Sequence, residues 1–389
     1  MKVTPIFLAV AFFALVSKAR TQTPSSSADT QADSIFSAVT EEHAPGLAVV
    51  VRKDGRILFE KEYGVRDFGT KAKIDQRTNF RLASFTKQFT AMATMLLVHD
   101  GKLRYDQTLT EIFPDFPAYG KSITVRNLLN HTGGLPDYED LMEAAETPRN
   151  SRVWTPEHQI QDAEVLKLLE KETRGKFLPG TGWSYSNSGY VVLGLIIARA
   201  SGQSYGEFLE ARIFGPLHMD HTIVYQKGTN EVTSRAFGHS REGDGLKETD
   251  QSSTSATLGD GGIYSSLEDL VKWDEALRNH ILLGAEEMAP ALVPGKLANG
   301  SPTLWPAAGN DDNLHPGKRV SYGFGWFLDP YQGHPRMWHT GSTMGFRTVI
   351  ERFTTDDLTI VILCNRTDLD PEALALKTAD LYLHVRSKE

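Results

Sequence analysis

The spacing of apolar residues changes type along the first part of the chain. Residues 47–51 form a short apolar run, turn-forming residues follow at 53–56, and residues 57–63 alternate between apolar and polar. Together they predict an antiparallel hairpin. Large apolar residues then recur at helical spacing over 85–96, and Gly101 supplies a C-terminal stop, so a helix is predicted there.

Helical patterns also mark both ends and the middle of the chain. A helix is predicted from Ala32 and stops before Pro45, and several helical fragments with turns fill residues 104–217. Ser266 offers an N-cap hydroxyl ahead of acidic residues, which favours a helix start. Pro371 begins a predicted final helix that reaches residue 385.

Before that final helix the chain returns to short segments with strand character, at 323–328, 336–339, 345–353 and 358–364. The polar stretch 225–258 predicts loops with weak strands, and 293–320, rich in Pro, Gly and Asn, is typical of a long surface excursion. Strands at both ends therefore flank a helical middle. This pattern predicts an α/β fold of the α+β type. One antiparallel sheet built from both chain ends is covered by the terminal helices, and the helical insertion of about 104–217 packs beside it as a second subdomain.

The amino terminus has the pattern of an export signal. Lys2 precedes an apolar run at 5–16, and small residues lead to a cleavage point after Ala19. The run is too short to span a bilayer, which needs about 20 residues. We therefore expect a cleaved signal peptide, a flexible leader over 20–31 and one domain over 32–386. The expected location is periplasmic or secreted, with membrane contact only through the transient signal peptide. An uncleaved anchor or a buried first helix is the alternative.

Composition and charge exclude several classes of protein. The 389 residues carry 41 Lys+Arg against 49 Asp+Glu, a net charge of −8. This argues against nucleic acid as a partner, because proteins that bind it usually present a basic surface. Cys364 is the sole cysteine, so an intrachain disulfide and a cysteine-rich metal site are excluded. The glycine-rich motifs of nucleotide-binding loops are missing, and no cofactor is expected.

Ser84 and Lys87 form the first candidate for chemistry. They lie three residues apart at the predicted start of a helix and therefore share one helix face. A serine hydroxyl becomes a nucleophile when a base takes its proton, and a lysine can serve if burial or nearby cations lower its pKa from ~10.4. The helix start also offers a backbone N–H to a developing oxyanion. Taken alone, such a pair is more often a capping serine beside a solvated lysine.

Two further polar segments carry candidate site residues. Tyr185 and Asn187 lie in a serine- and glycine-rich stretch before an apolar run, where they can offer a phenol and an amide to one site. A turn in which Asn187 caps the next helix is the alternative. His339, Thr340 and Gly341 lie on a predicted strand, and the glycine would let a substrate backbone approach closely. A strand that ends in a glycine turn is the alternative.

In this order and at these separations, the three motifs resemble those of the class C β-lactamase-like serine hydrolases. That family includes β-lactamases, DD-carboxypeptidases, D-amino-acid peptidases and esterases. Two more stretches, 128–137 and 261–265, are similar to the family's segment between the first two motifs and to its glycine turn before a later helix. The resemblance covers roughly residues 35–382. It implies a β-lactamase/transpeptidase-like fold and a small-molecule or peptide acyl substrate, with no metal and no organic cofactor.

The resemblance also implies a role for each matching residue. Ser84 would be the acylated nucleophile, and Lys87 and Tyr185 would form its base system, with Tyr185 passing the proton to the leaving group. The backbone N–H groups of Ser84 and Ser342 would form the oxyanion hole. Asn187 would orient both the substrate and Lys87. The substrate-binding residues would be Asn187, His339, Thr340, Gly341 and Ser342.

His339 departs from the β-lactamase pattern, in which a lysine often stands at this position. A lysine keeps a positive charge near the carboxylate of a β-lactam. A histidine with an ordinary pKa of about 6.5 is mostly neutral at pH 7 and gains charge as the pH falls. His339 therefore argues against efficient β-lactam hydrolysis. Ester, D-amino-acid peptide and β-lactam substrates share the same tetrahedral chemistry, and all three stay open at this point.

Three other interpretations are open on the sequence. Ser204 lies in a Gly-x-Ser-x-Gly stretch, the nucleophile motif of α/β-hydrolases, although the alternation of strands and helices that a parallel sheet needs is missing. His218 and His221 are the tightest histidine pair, without a convincingly spaced third metal ligand. The third interpretation is a catalytically weak, penicillin-binding-like binding protein with a decayed site.

Overall fold

The computed structural model of the chain describes residues 27–146, 153–306 and 316–383. The predicted signal peptide, with its cleavage point after Ala19, lies outside these ranges. No helix within them is both long enough and apolar enough to cross a membrane.

The main sheet is built from both ends of the chain, as predicted. The strands of the described chain, β1 to β10 in order, are Leu47–Lys53, Arg56–Tyr63, Phe80–Arg81, Ile223–Val224, His239–Glu242, Gly245–Glu248, Ile263–Ser265, Arg336–Thr343, Phe346–Phe353 and Leu358–Cys364. Five of them form the main sheet in the order β2-β1-β10-β9-β8, and all neighbouring pairs are antiparallel. Two small sheets, β3-β7-β4 and the hairpin β5-β6, lie apart from it.

Helices fill the middle of the chain, and the helices at the two ends of the chain cover the sheet. The α-helices of the described chain, α1 to α11 in order, are Ser27–Ser37, Lys87–His99, Leu109–Ile112, Val125–Leu129, Tyr138–Ala145, Asp162–Glu170, Asn187–Ser201, Tyr205–Leu209, Leu267–Arg278, Ala285–Met288 and Pro371–Tyr382. Shorter helical turns are the 3₁₀ segments Ala83–Thr86, Ala118–Ser122 and Ala289–Leu292 and the π segment Glu210–Phe214.

The central strands are apolar on both sides because both faces of the sheet are covered. Successive side chains of a strand point to opposite faces. Val49 of β1 accordingly packs in a cluster with residues of α1 and α11, whereas its neighbour Val50 packs in the larger core that contains Phe85 of the helical part. The predicted hairpin between β1 and β2 is confirmed. Its turn residues Asp54 and Gly55 have φ values of +50° and +71°, the left-handed pair of a type I′ turn.

Helix α2 occupies the centre of the molecule, between the sheet and the helical insertion. The sequence predicts an amphipathic helix here, but its residues from Lys87 to Leu97 are buried on every side. Its polar side chains find partners inside the protein. Thr90 Oγ1 donates to the Gly259 carbonyl oxygen at 2.6 Å. Satisfied polar groups of this kind can be buried without a large penalty.

Three segments differ from their predicted structure. Helix α1 begins at Ser27 rather than Ala32, so the last residues of the predicted leader are helical. Residues 323–328 form no strand. Only single bridges occur there, and Gly325, at φ +78°, turns the chain against the start of α2. The predicted surface excursion 293–320 contributes buried side chains, among them Trp305, to an aromatic cluster beside the site.

Candidate active site

Ser84 stands at a sharp turn where a 3₁₀ helix leads directly into α2. The preceding Ala83 has φ +50°, a left-handed conformation that is uncommon for a residue with a side chain. The N–H of Ser84 lies in the first helical turn, where no carbonyl of the same helix can accept from it. Ser84 is also partly exposed, whereas Ala83 and Phe85 on either side are buried. The turn therefore presents both the hydroxyl and a backbone donor to the cleft.

Lys87 is fully buried and reaches back to Ser84. Its Nζ lies 3.0 Å from Ser84 Oγ and donates to Asn187 Oδ1 at 2.8 Å and to the Asp260 carbonyl oxygen at 3.0 Å. The last two atoms are acceptors only, so each takes an N–H hydrogen. Ser84 Oγ differs, because a hydroxyl either accepts a hydrogen from an ammonium or gives its own hydrogen to a neutral amine. The geometry is therefore suited to proton exchange between Lys87 and Ser84.

Tyr185 and Asn187 approach Lys87 from the start of helix α7. Ser186, rather than Asn187, caps that helix, since its Oγ accepts the N–H of Gly189 at 3.1 Å. The capping alternative for Asn187 is therefore wrong, and its side chain is directed to Lys87. Lys87 Nζ also lies 4.9 Å from the centroid of the Tyr185 ring.

Strand β8 carries His339, Thr340, Gly341 and Ser342 past the site and continues to Thr343, so the alternative of a glycine turn is wrong. The glycine is needed for a different reason from the one expected. A Cβ at Gly341 would stand 2.0 Å from the Leu82 carbonyl oxygen and 2.3 Å from Thr348 Oγ1. The space is thus taken by the protein's own backbone, not reserved for a substrate. This contact brings β8 against the turn that holds Ser84.

His339 is buried and neutral. Its Nδ1 lies 2.6 Å from the Thr340 carbonyl oxygen, to which it donates, and its Nε2 lies 3.1 Å from Tyr322 Oη, from which it accepts. Burial and then the charge of Lys87 lower the pKa of His339 to about 3. The expected gain of charge near pH 6.5 is therefore wrong, because the ordinary pKa applies only to a solvated ring.

A cleft of about 990 Å³ opens over these residues. Ser84, Tyr185 and Asn187 line it together with the four consecutive β8 residues that start at His339. The described lining of the cleft beyond the site itself carries five acidic and two basic side chains. Burial raises the pKa values of Asp137 and Glu372 and raises that of Glu139 to about 7, so the cleft becomes more negative as the pH rises through about 7. The carboxylates are Asp137, Glu139, Asp140, Asp370 and Glu372, and the basic side chains are Lys176 and Arg347.

Several residues of the site escape the sequence analysis. Trp183, Trp305 and Phe327 form an aromatic wall of the cleft, and Tyr322 binds His339. Their positions depend on the tertiary fold, and isolated aromatic residues give no motif. Asp260 contributes through its backbone, and a carbonyl group carries no side-chain signal. Its neighbours in the glycine turn 261–265 are the one indication in the sequence.

The α/β-hydrolase interpretation of Ser204 is contradicted. Ser204 is the N-cap of α8, and its Oγ donates to the Glu207 carboxylate at 2.7 Å. The apolar run before it belongs to helix α7, which ends at the left-handed Gly202, so the strand that a nucleophile elbow requires is not present there. Ser204 is exposed and is not among the residues that line the cleft.

The histidine pair gains no support as a metal site. His218 lies in a turn with φ +54°, and His221 follows it, where its backbone N–H donates to Asp269. Within the three described ranges, no group of three or more His, Cys, Asp or Glu side chains is placed to hold a metal ion.

Comparison with known proteins agrees with the geometry. The profile of the beta-lactamase family matches residues 32–384. The chain is 31% identical over 364 residues to "Penicillin-binding protein 4*" of Bacillus subtilis (strain 168). The aligned region covers 90% of this chain and 74% of that protein. The chain therefore belongs to the beta-lactamase family of serine hydrolases, and the resemblance to the class C β-lactamase-like group is confirmed.

Solved structures show the same fold. The penicillin binding protein from Bacillus halodurans superposes with a TM-score of 0.71 at 24% identity, over 90% of this chain and 99% of that one. The D-amino acid amidase from Ochrobactrum anthropi SV3 superposes with a TM-score of 0.70 at 25% identity, over 91% of this chain and 99% of that one. The predicted β-lactamase/transpeptidase-like architecture is confirmed.

Proposed function

We propose that the chain is an acyl-hydrolase of the class C β-lactamase-like type that works through a Ser84 acyl-enzyme. The observation that carries the proposal is the 3.0 Å separation of Lys87 Nζ and Ser84 Oγ, with Asn187 and Asp260 fixing the amine from the other side. An amine held in this way can take the hydroxyl proton while the serine oxygen attacks a carbonyl carbon.

Each step of the proposed reaction has a group within the site. The Ser84 proton passes through Lys87 and Tyr185 to the leaving oxygen or nitrogen as the acyl bond breaks. In the proposed reaction, the backbone N–H groups of Ser84 and Ser342 stabilise the negative charge on the carbonyl oxygen. The support is that both residues line the cleft and that β8 packs on the Ser84 turn. Water then attacks the acyl-enzyme and gives a proton to the same base. As the bond between Ser84 and the acyl group breaks, Ser84 takes that proton from the base and the acid product is released.

The charges of the cleft favour neutral or cationic substrates. Acidic side chains outnumber basic ones in the lining, five to two, which disfavours an anion even though burial raises the pKa values of Asp137, Glu139 and Glu372. The neutral His339 offers no positive charge to a β-lactam carboxylate. We therefore propose ester or amide substrates. The likeness to a D-amino acid amidase makes D-amino-acid amides and peptides the first amides to test.

The test is a panel of three substrates on the full chain. A short-chain p-nitrophenyl ester, a D-amino-acid amide and nitrocefin are compared for the parent, Ser84→Ala and Ser204→Ala. Turnover of the ester or the amide should disappear in Ser84→Ala and persist in Ser204→Ala, with nitrocefin the poorest substrate. Unchanged turnover in Ser84→Ala would overturn the proposal, and turnover of none of the three by the parent would support a binding protein instead.

We also propose that the chain is exported and works in the periplasm or as a secreted protein. The support is the sequence pattern of Lys2, the apolar run at 5–16 and the small residues that end at Ala19. Amino-terminal sequencing of the protein recovered from outside the cytoplasm should begin at Arg20. A protein retained in the cytoplasm with Met1 intact would contradict export.

A further inference from the structure

His131 holds the chain on both sides of Tyr185. Its carbonyl oxygen accepts the N–H of Ser184 at 3.1 Å, and its ring Nδ1 accepts the N–H of Ser186 at 3.2 Å. Its ring centroid also lies 4.5 Å from that of Tyr185. One residue thus anchors the backbone before and after Tyr185 and packs against its ring.

The segment around Tyr185 needs such an anchor. Helix α7 begins only at Asn187, so the N–H groups ahead of it lack the acceptors that a helix interior provides. Buried N–H groups without an acceptor are costly. His131 supplies two acceptors, one from the backbone and one from the ring, to the residues that flank Tyr185.

His131 is also held in an unusual state. Its side chain is 1% exposed, and it lies 4.5 Å from the Tyr322 ring and 5.2 Å from the Tyr190 ring. Its φ is +62°, in the left-handed region that few residues other than glycine, asparagine, aspartate and histidine adopt. Strained residues of this kind persist where the surrounding structure fixes them, often at functional sites.

The hydrogen bond from Ser186 also defines the proton on the ring. An N–H donor requires a lone pair on Nδ1, so the neutral ring carries its hydrogen on Nε2. The titratable side chains that face it are Lys87 and His339, and the rings of Tyr185, Tyr190 and Tyr322 pack against it. Burial, then the charge of Lys87, keep the pKa of His131 well below its ordinary value. The Nδ1 acceptor is therefore present at neutral pH.

We propose that His131 is a positioning residue that sets the place of the Tyr185 phenol beside Lys87 through its hydrogen bonds to Ser184 and Ser186. The inference rests on the proposed role of Tyr185 in the Ser84 reaction. It gives a chemical role to a residue of the segment 128–137, whose sequence resembles a segment of the family.

The first test compares two substitutions of equal size. His131→Asn places an amide oxygen close to the position of Nδ1, and asparagine tolerates the left-handed φ. The leucine side chain of His131→Leu has the same shape as that of asparagine but offers no acceptor. For the neutral ester, kcat of His131→Asn should stay within about fivefold of the parent. His131→Leu should lose about 10- to 100-fold in kcat with little change in KM, because a misplaced group costs rate rather than binding. Equal losses in the two variants would overturn the proposal.

The second test repeats both substitutions in a Tyr185→Phe background. If His131 acts by placing the phenol, His131→Leu should cost less than about threefold once the phenol is gone. An equally large loss in that background would mean a general structural role and would overturn the proposal. The two proposals fail differently. Unchanged turnover in Ser84→Ala overturns the proposed function, a Tyr185→Phe variant as active as the parent removes the role of Tyr185 and with it that of His131, and additive losses overturn the role of His131 alone.

A third measurement needs no variant that disturbs the fold. In the full chain with ¹⁵N-labelled histidine, the long-range ¹⁵N–¹H spectrum at pH 7 reports which ring nitrogen carries hydrogen. His131→Asn identifies its signals by their loss. The proposal requires a hydrogen on Nε2 and a lone pair on Nδ1. A hydrogen on Nδ1 would overturn it, even if His131→Leu failed to fold.

Discussion

Gly341 lies so close to Leu82 that a methyl group on it would stand 2.0 Å from the Leu82 carbonyl oxygen. The same oxygen accepts a hydrogen bond from Thr348 Oγ1 at 2.9 Å. Leu82, two positions before Ser84, is thereby held against strands β8 and β9 at the edge of the main sheet. The cleft is therefore assembled from segments far apart in sequence, and the fit at Gly341 sets where Ser342 stands relative to Ser84.

Gly341→Ala should separate β8 from the Ser84 turn. We expect the free energy of unfolding to fall by about 2 kcal/mol, as for other overpacked sites, and ester hydrolysis to fall at least tenfold. The matched control is Gly245→Ala in β6, where an added Cβ meets nothing within 4 Å. Urea denaturation and kcat/KM check both effects. Equal behaviour of the two variants would show that the contact with Leu82 does not hold the site together.

Lys87→Met and Tyr185→Phe should each lower the acylation rate by at least ~10²-fold, the usual scale for loss of a positioned general base. Their combined effect should be smaller than the product of the single effects, because both residues serve one proton path. Rapid-quench measurement of acylation by the ester separates this step from deacylation. A value of kcat/KM within a factor of a few of the parent for either variant would contradict the shared path.

The preference between substrates should not depend on pH through His339. Burial and Lys87 lower the pKa of His339 to about 3, so the ring stays neutral from pH 5.5 to 8.5 and gains its proton only in much stronger acid. The ratio of kcat/KM for nitrocefin to that for a neutral ester can still change with pH through Glu139, which lines the cleft and whose pKa burial raises to about 7. The pH profile of this ratio should therefore be the same in the parent and in His339→Gln. A rise below about pH 6.5 that is lost in His339→Gln would mean that His339 titrates as a solvated histidine.

Asp162 should make stability depend on pH. Its carboxyl group is buried at the start of α6 and accepts the N–H of Leu258 at 3.0 Å, and burial raises its pKa to about 8. The folded state keeps a proton that the unfolded state loses above about pH 4, so the stability from this group falls as the pH rises from about 4 to 8.

Asp162→Asn removes this titration and keeps an acceptor for Leu258. By urea denaturation, the variant should exceed the parent by about 2 kcal/mol or more at pH 8, with the advantage much smaller at pH 4. A difference between the two proteins that is the same at both pH values would contradict the raised pKa of Asp162.

The parts of the fold that depend on short-range patterns are predictable from the sequence. The turn at 53–56 and the strand Leu358–Cys364 appear with their predicted limits, because alternation and turn chemistry are local. The burial of α2 is not predicted, since it depends on distant partners such as Gly259, which accepts from Thr90. For the same reason, residues 323–328 have a strand-like composition but form a turn against α2.

The candidate site divides in the same way. Ser84, Lys87, Tyr185 and Asn187 are found from the sequence because their side chains form motifs, and the structure brings them to one cleft. The proton state of His339 is not predictable, since it follows from burial against Tyr322 and from the charge of Lys87. Backbone contributions, such as the carbonyl groups of Asp260 and His131, carry no signal in the residue type.

The most direct test of the account is the covalent labelling of the full chain with a fluorophosphonate, followed by peptide mapping by mass spectrometry. An activated serine attacks the phosphorus atom of this reagent, fluoride leaves, and the phosphonyl group stays on the serine. We expect Ser84 to react in this way. The account predicts one adduct per chain, on the peptide that contains Ser84, which is absent in Ser84→Ala and unchanged in Ser204→Ala. An adduct on another serine, or equal labelling of Ser84→Ala and the parent, would contradict it.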